Sequence, residues 1–367
     1  MTTLVYLDWN ATTPPLAAVI DAMAETARES WGNPASVHRS GRQARDVVET
    51  AREAIARLVE AEARDVVFTS GGTEANNLAL HRAPALVTSQ LEHPSVTRVA
   101  EALERDGRPV RWLDVPDSGR LEPEAVASAL TGLPAGAVVA VAAANHETGV
   151  IQPIQALSDV VRQAGATLHV DAVQAVGKLP ASAFAMADTL SIAAHKMRGP
   201  KGIGALVHRP GRAPQPLLLG GSQERGRRPG TVDPVAAAGF RVAVEAAASG
   251  LEARARLGVL RDRLESQLVR AFGAVPNGDT HGRLEHVSNL SFPHREGDEL
   301  VAALDLLGVA VSSGSACSAG TTEPSKIIQA MVGRERARGA VRVTLGDATN
   351  DADIELALRA FERALRS

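Results

Sequence analysis

From about Arg42 to Ala248, short apolar runs alternate with stretches whose apolar residues recur three and four positions apart. Residues 65–69, 137–143, 168–170 and 190–193 read as buried strands. Between them, Ala44, Val47, Val48, Ala51, Ile55 and Leu58 keep helical spacing, as do Leu157, Val160, Val161 and Ala164. Strand–helix alternation of this kind predicts an α/β fold with a large, mostly parallel sheet and helices on both faces. The C-terminal third changes character. Leu257, Leu260, Leu264 and Leu268 mark an amphipathic helix, a strand-like run covers 287–292, and an apolar helix follows through Leu300 to Leu307. A last helix is expected from Asn350 as N-cap, with Asp353 in its first turn and Ile354, Leu358, Phe361 and Leu365 facing inward. This part reads as a smaller α+β domain.

Apolar residues make up 45% of the 367 and charged residues 22%, enough for a large core, so disorder is excluded as the main theme. A formal net charge of -3 gives no electrostatic footprint for nucleic acid or an anionic membrane. No apolar run approaches the ~20 residues a bilayer span needs, and residues 1–8 carry no basic-then-apolar leader, so a cytoplasmic chain is expected. The single cysteine, Cys317, excludes an internal disulfide and an all-cysteine zinc site.

Chemistry-bearing groups fall where the apolar strands end. Ser70-Gly71-Gly72-Thr73-Glu74 follows the first strand and opens a helix, a place where free N–H groups can meet an anion. Asp171 closes the strand at 168–170, with Gln174 three residues on, and His195-Lys196 follows the strand ending at Ala193. Ligands of open α/β sheets sit outside the carboxyl ends of the strands, so these groups are candidates for one crevice. Lys196 has two readings: a solvated surface amine, or a partly desolvated one able to form a Schiff base. An amine, an aspartate and a phosphate cradle are together what pyridoxal 5'-phosphate requires.

The chain resembles the cysteine desulfurases, fold-type I pyridoxal phosphate enzymes of the class-V aminotransferase group. The motifs are Tyr6-Leu7-Asp8-Trp9-Asn10-Ala11-Thr12-Thr13-Pro14, Gly32-Asn33-Pro34-Ala35-Ser36, Ser70-Gly71-Gly72-Thr73-Glu74 and Glu92-His93, then His169-Val170-Asp171-Ala172-Val173-Gln174. His195-Lys196 with Gly199-Pro200-Lys201-Gly202, Gly230-Thr231 and Ser312-Ser313-Gly314-Ser315-Ala316-Cys317 complete the set. The resemblance implies a large cofactor-binding domain over residues 15–251 and a small domain, made of 1–14 and 252–367, that carries the cysteine loop.

The resemblance also implies roles. Lys196 holds the cofactor covalently and moves the substrate's Cα proton. Gly72 and Thr73 bind its phosphate, with His195 as a further donor and Thr231 reaching in from a second subunit of a homodimer. His93 stacks on the ring and shuttles protons, Asp171 faces the ring nitrogen, and Gln174 meets the phenolic oxygen. Arg342 clamps the substrate carboxylate. Cys317 takes sulfur from L-cysteine as a persulfide, releasing L-alanine, and delivers it to an acceptor or scaffold protein for iron–sulfur cluster assembly or thiolation. Its polar, glycine-bearing surroundings fit a carrier thiol better than a core one, and 25 residues separate it from Arg342, as in the long-loop branch. Alternatives are a selenocysteine lyase, a class-V aminotransferase, or a weakly catalytic sulfur-carrier scaffold.

Some positions depart from the pattern. Ala193 replaces a phosphate-contacting serine. His146, in Asn145-His146-Glu147-Thr148-Gly149, replaces an asparagine; it is expected to touch cofactor or substrate and to add a pH dependence on protonation. Asp347 stands where arginine is frequent. The chain is expected to lack the extended C-terminal segment by which some members bind a scaffold.

Overall fold

The structure is a computed structural model that describes residues 4–250, 254–314 and 323–366. The chain starts with β1 (Val5–Tyr6), α1 (Ala17–Glu29) and α2 (Arg39–Leu58). It then alternates as expected: β2 (Val66–Thr69), α3 (Gly72–Leu80), β3 (Leu86–Ser89), α4 (Pro94–Arg105), β4 (Val110–Leu113), α5 (Pro123–Leu130), β5 (Val138–Ala142), α6 (Ile154–Gln163) and β6 (Thr167–Asp171). Next come β7 (Thr189–Ala193), β8 (Gly204–His208) and α7 (Pro234–Ser249). These strands form one seven-stranded sheet in the order β2-β8-β7-β6-β5-β3-β4. All neighbours run parallel except where β8 enters antiparallel between β2 and β7. Apart from the edge strand β4, their residues are buried almost throughout, as a sheet covered on both faces requires.

The remaining elements are α8 (Ala255–Phe272), β9 (Val275–Pro276), β10 (Val287–Ser291), α9 (Gly297–Leu306), β11 (Val309–Ala310), α10 (Lys326–Val332), α11 (Arg334–Arg338), β12 (Ala340–Thr344) and α12 (Asp351–Arg366). β9, β10 and β12 make an antiparallel sheet, and β1 pairs in parallel with β11, so the first strand joins the C-terminal elements. Leu257, Leu260, Leu264 and Leu268 of α8 pack with Ile354, Phe361 and Leu365 of α12 in one apolar cluster, separate from that around the large sheet. The α12 start is a capping box: Asn350 Oδ1 accepts from the backbone N–H groups of Ala352 and Asp353, and Asp353 Oδ2 accepts from Asn350 N. Among the described residues, no helix is long and apolar enough to cross a membrane.

Register fixes the place of the candidate site. Thr69 pairs with Gly204, Gly204 with Ala193, and Asp171 with both Ser191 and Ala142. The last residues of β2, β5, β6 and β7 therefore share one sheet edge, where the chain turns into α3, the His195-Lys196 turn and the segments bearing Gln174 and His146.

Candidate active site

That edge carries a cavity of about 290 Å³, near the lower bound of small-molecule sites, ~300 Å³. Gly72, Thr73, His93, His146, Asp171, Gln174, His195, Lys196 and Arg342 all line it. Thr231 does not; it is exposed in its own chain. Cys317 lies outside the described residues.

One wall is an anion cradle. α3 begins at Gly72 with no side chain capping its first turn, so its N-terminal N–H groups are the donors there. A Cβ at Gly72 would stand 2.6 Å from Val173 Cγ2, so the Val173 side chain leaves no room there for a larger residue. Glu74 is turned away from this wall: its carboxylate accepts from Ser70 N at 2.7 Å and from Arg228 Nε at 2.9 Å. Although burial favours its neutral form, the Arg228 guanidinium and the Ser70 donor hold that carboxyl below its usual range. Ala193 contributes a methyl group to the cavity where a hydroxyl would be a further donor.

Asp171, nearly buried at the end of β6, accepts from Val173 N (3.0 Å) and Asn76 Nδ2 (2.7 Å). Lys196 Nζ donates to the carbonyl oxygens of Asn10 (2.6 Å) and Ala11 (2.8 Å). Gln174 Nε2 donates to the same Asn10 carbonyl, and Lys178 Nζ donates to Gln174 Oε1 at 2.5 Å. Burial, followed by the nearby Arg254 and Lys196 charges, pushes the Lys178 amine well down. The N-terminal segment thus forms part of the cavity: Asn10 also bonds His146 O and His286 Nε2, and Thr13 bonds His195 O. His195 Nδ1 lies 3.1 Å from Thr12 Oγ1; burial and the neighbouring Lys196 charge push its ring down to about 4, so it is neutral at pH 7.

The facing wall holds His93 and His146, whose rings meet edge-on with centroids 5.5 Å apart. Burial lowers His93, partly offset by Asp171. His146 is held well below the usual range, first by burial and then by His93, Arg342 and Lys196. The folded site thus favours the neutral His146 ring, against the pH dependence expected from its protonation. Arg342, buried on β12, donates from Nη2 to Asp8 Oδ1 at 2.7 Å and from Nη1 to His146 O at 3.2 Å; its Nε is buried with no partner among the described residues. Asp347 lies 3.7 Å from both Arg198 and Arg254, so an acidic residue there has basic neighbours to face.

Sequence reasoning missed four contributors. Asn76, Ser95, Asp8 and Asn10 touch the site groups above, and only the motifs around Asp8 and Asn10 gave any signal. The donor set fits pyridoxal phosphate. A glycine-dependent N–H cradle suits a phosphate, a twice-anchored carboxylate suits a ring nitrogen, and an amine within the cavity suits an aldehyde.

The fold and this cavity define an α/β enzyme site built on a lysine, an aspartate and a helix N-terminus at a sheet edge. The class-V aminotransferase family model matches residues 5–356. A cysteine desulfurase of Bradyrhizobium diazoefficiens is 42% identical over 365 residues, covering 96% of this chain and 92% of its own. A solved NifS-like protein superimposes with a TM-score of 0.90 at 31% identity, over 99% of this chain and 100% of its own. A solved SspA in complex with cysteine superimposes with a TM-score of 0.80 at 30% identity, over 93% and 98%. The chain belongs to the class-V aminotransferase family, among the cysteine desulfurases.

Proposed function

We propose that the chain is a pyridoxal phosphate-dependent L-cysteine desulfurase that moves sulfur from L-cysteine to Cys317. The observation that carries this reading is the convergence of Lys196, Asp171 and the α3 N-terminus on one cavity that also holds Arg342. Pyridoxal phosphate, when bound, withdraws electrons from the substrate carbon that bears the amino group.

Gly72 and Thr73 would hold the phosphate through the α3 N-terminus, with His195 as a neutral neighbour and Thr231 supplied by a second copy in a homodimer. Asp171 would hold the ring nitrogen and Gln174 the phenolic oxygen. Lys196 would hold the cofactor and move the proton at the substrate Cα. Arg342 orients the substrate by its carboxylate, a charge-assisted contact. His93 exchanges the proton of the substrate sulfur, and His146 closes the same wall. The Cys317 thiol takes the sulfur atom: the carbon–sulfur bond breaks, a sulfur–sulfur bond forms, and the substrate carbon gains hydrogen to leave as L-alanine. The sulfur is oxidised from thiol to sulfane level and the carbon is reduced by the same two electrons, so no outside oxidant enters. An acceptor protein then receives the sulfane sulfur for iron–sulfur assembly or thiolation. Residues 15–251 would be the large cofactor-binding domain, and 1–14 with 252–367 the small domain that carries the Cys317 loop.

Product analysis tests this. Holoenzyme given L-cysteine and a thiol reductant is expected to yield alanine and sulfide in equal amounts; a keto acid instead would point to transamination.

A further inference from the structure

Behind the cavity, a run of buried polar side chains joins Asp171 to His93. Asn76 Nδ2 donates both of its protons, to Asp171 Oδ2 at 2.7 Å and to Ser95 Oγ at 2.8 Å. The amide cannot be reversed, because its oxygen would then face a carboxylate. Asn76 Oδ1 lies 3.0 Å from His169 Nε2, so that nitrogen carries the proton, and His169 Nδ1 accepts from Thr189 Oγ1 at 2.9 Å. Burial pushes His169 down to about 3, in keeping with this single-proton ring. Asn76, Ser95, His169 and Thr189 are all buried.

The other end of the run fixes His93. Its Nδ1 accepts the backbone N–H of Ser95 at 3.1 Å, as the N-cap of α4, and so carries no proton. Ser95 Oγ, which already accepts from Asn76, lies 2.8 Å from the same Nδ1 and must donate to it. Two donors from one residue therefore converge on one ring nitrogen. We propose that Ser95 is a positioning residue that, oriented by Asn76, locks neutral His93 as its Nε2–H tautomer and lowers its basicity. This rests on the reading of His93 as the proton-exchanging group of a desulfurase: the neutral ring then holds its proton on Nε2 and can take up a second only at Nδ1, against the two Ser95 donors. Among the described residues, Asp171 from the end of β6, Lys196 from the turn after β7 and His146 from the turn after β5 also face His93. Asp171 raises its basicity and Lys196 lowers it.

The test is nitrogen NMR of holoenzyme labelled at histidine, with the His93 signals assigned by their absence in His93→Gln. Wild type is expected to show a protonated Nε2 and an unprotonated Nδ1 in the neutral state. Ser95→Ala is expected to raise the His93 titration midpoint by about 0.5–1 pH unit, the size of one lost neutral hydrogen bond. Ser95→Thr, which keeps the hydroxyl, restores it, and the acid limb of kcat/KM for L-cysteine moves with the midpoint. An Nδ1–H tautomer in wild type, or an unmoved midpoint in folded Ser95→Ala, overturns the proposal. Should Ser95→Ala fail to fold, the wild-type tautomer alone decides. A protein that shows the Nε2–H tautomer and midpoint shift yet forms no alanine supports the lock and refutes the desulfurase reading instead.

Discussion

Arg342 and Asp8 lie 334 residues apart in sequence, yet the Arg342 guanidinium donates to the Asp8 carboxylate at 2.7 Å beside the cavity. The arginine is thereby aimed before any substrate arrives. A hydrogen bond to a charged group contributes about 1.5–3 kcal/mol, and each ~1.4 kcal/mol is tenfold. Arg342→Gln is therefore expected to raise KM for L-cysteine about ten- to a hundredfold, with a smaller change in kcat. Steady-state alanine formation measures both.

Lys178 acts on the site through Gln174, whose amide oxygen accepts the amine and whose nitrogen is left to face Asn10. Lys178→Met removes that constraint, so pyridoxal phosphate is expected to bind the apoprotein about fivefold more weakly, the size of one hydrogen bond of ~1 kcal/mol. An equilibrium titration followed by visible absorbance checks it.

Glu147 sits against Gly314, where a Cβ would come 2.5 Å from its Oε2, and accepts from Ser325 Oγ at 2.6 Å. Burial pushes its carboxyl up to about 7 from the ordinary 4.5, against the pull of Ser325 and Arg342. The folded state thus keeps a proton that the unfolded chain releases. This contribution to stability is complete below about 4.5 and is lost as pH rises through about 7. Glu147→Gln cannot lose it, so its stability relative to wild type is expected to grow from pH 5 to pH 8. Urea denaturation at both values measures this; a constant difference would contradict it.

Arg52 and Glu224 form a buried two-point ion pair, both contacts at 2.7 Å, and Glu224 also accepts from Phe68 N at 2.8 Å. The pair ties the segment before Thr231 to β2. Glu224→Ala leaves the buried guanidinium only Glu49 and the Val66 carbonyl as partners and is expected to destabilise the fold by about 3 kcal/mol, the lower end for a broken buried pair, read as a lower urea midpoint.

Much of this was legible in the sequence because apolar period and glycine placement are local signals. The strands ending at Thr69, Ala142, Asp171 and Ala193 stood out as apolar runs, and motif resemblance pointed to Lys196, Asp171 and Gly72. The antiparallel entry of β8 was not legible, since five buried residues look the same in either direction. Asn76, Ser95 and Asp8 escaped for a different reason. Their importance lies in hydrogen bonds to groups between 2 and 334 positions away, and a polar residue on a helix or beside a strand gives no hint of its partner.

Whether sulfur leaves L-cysteine for the protein itself is settled most directly by mass spectrometry of holoenzyme briefly exposed to L-cysteine. The account predicts one added sulfur atom on the Cys317 peptide, formed in step with one alanine, and its loss together with turnover in Cys317→Ala. Alanine released at the wild-type rate by Cys317→Ala, or sulfur found on no residue of the wild type, would contradict it.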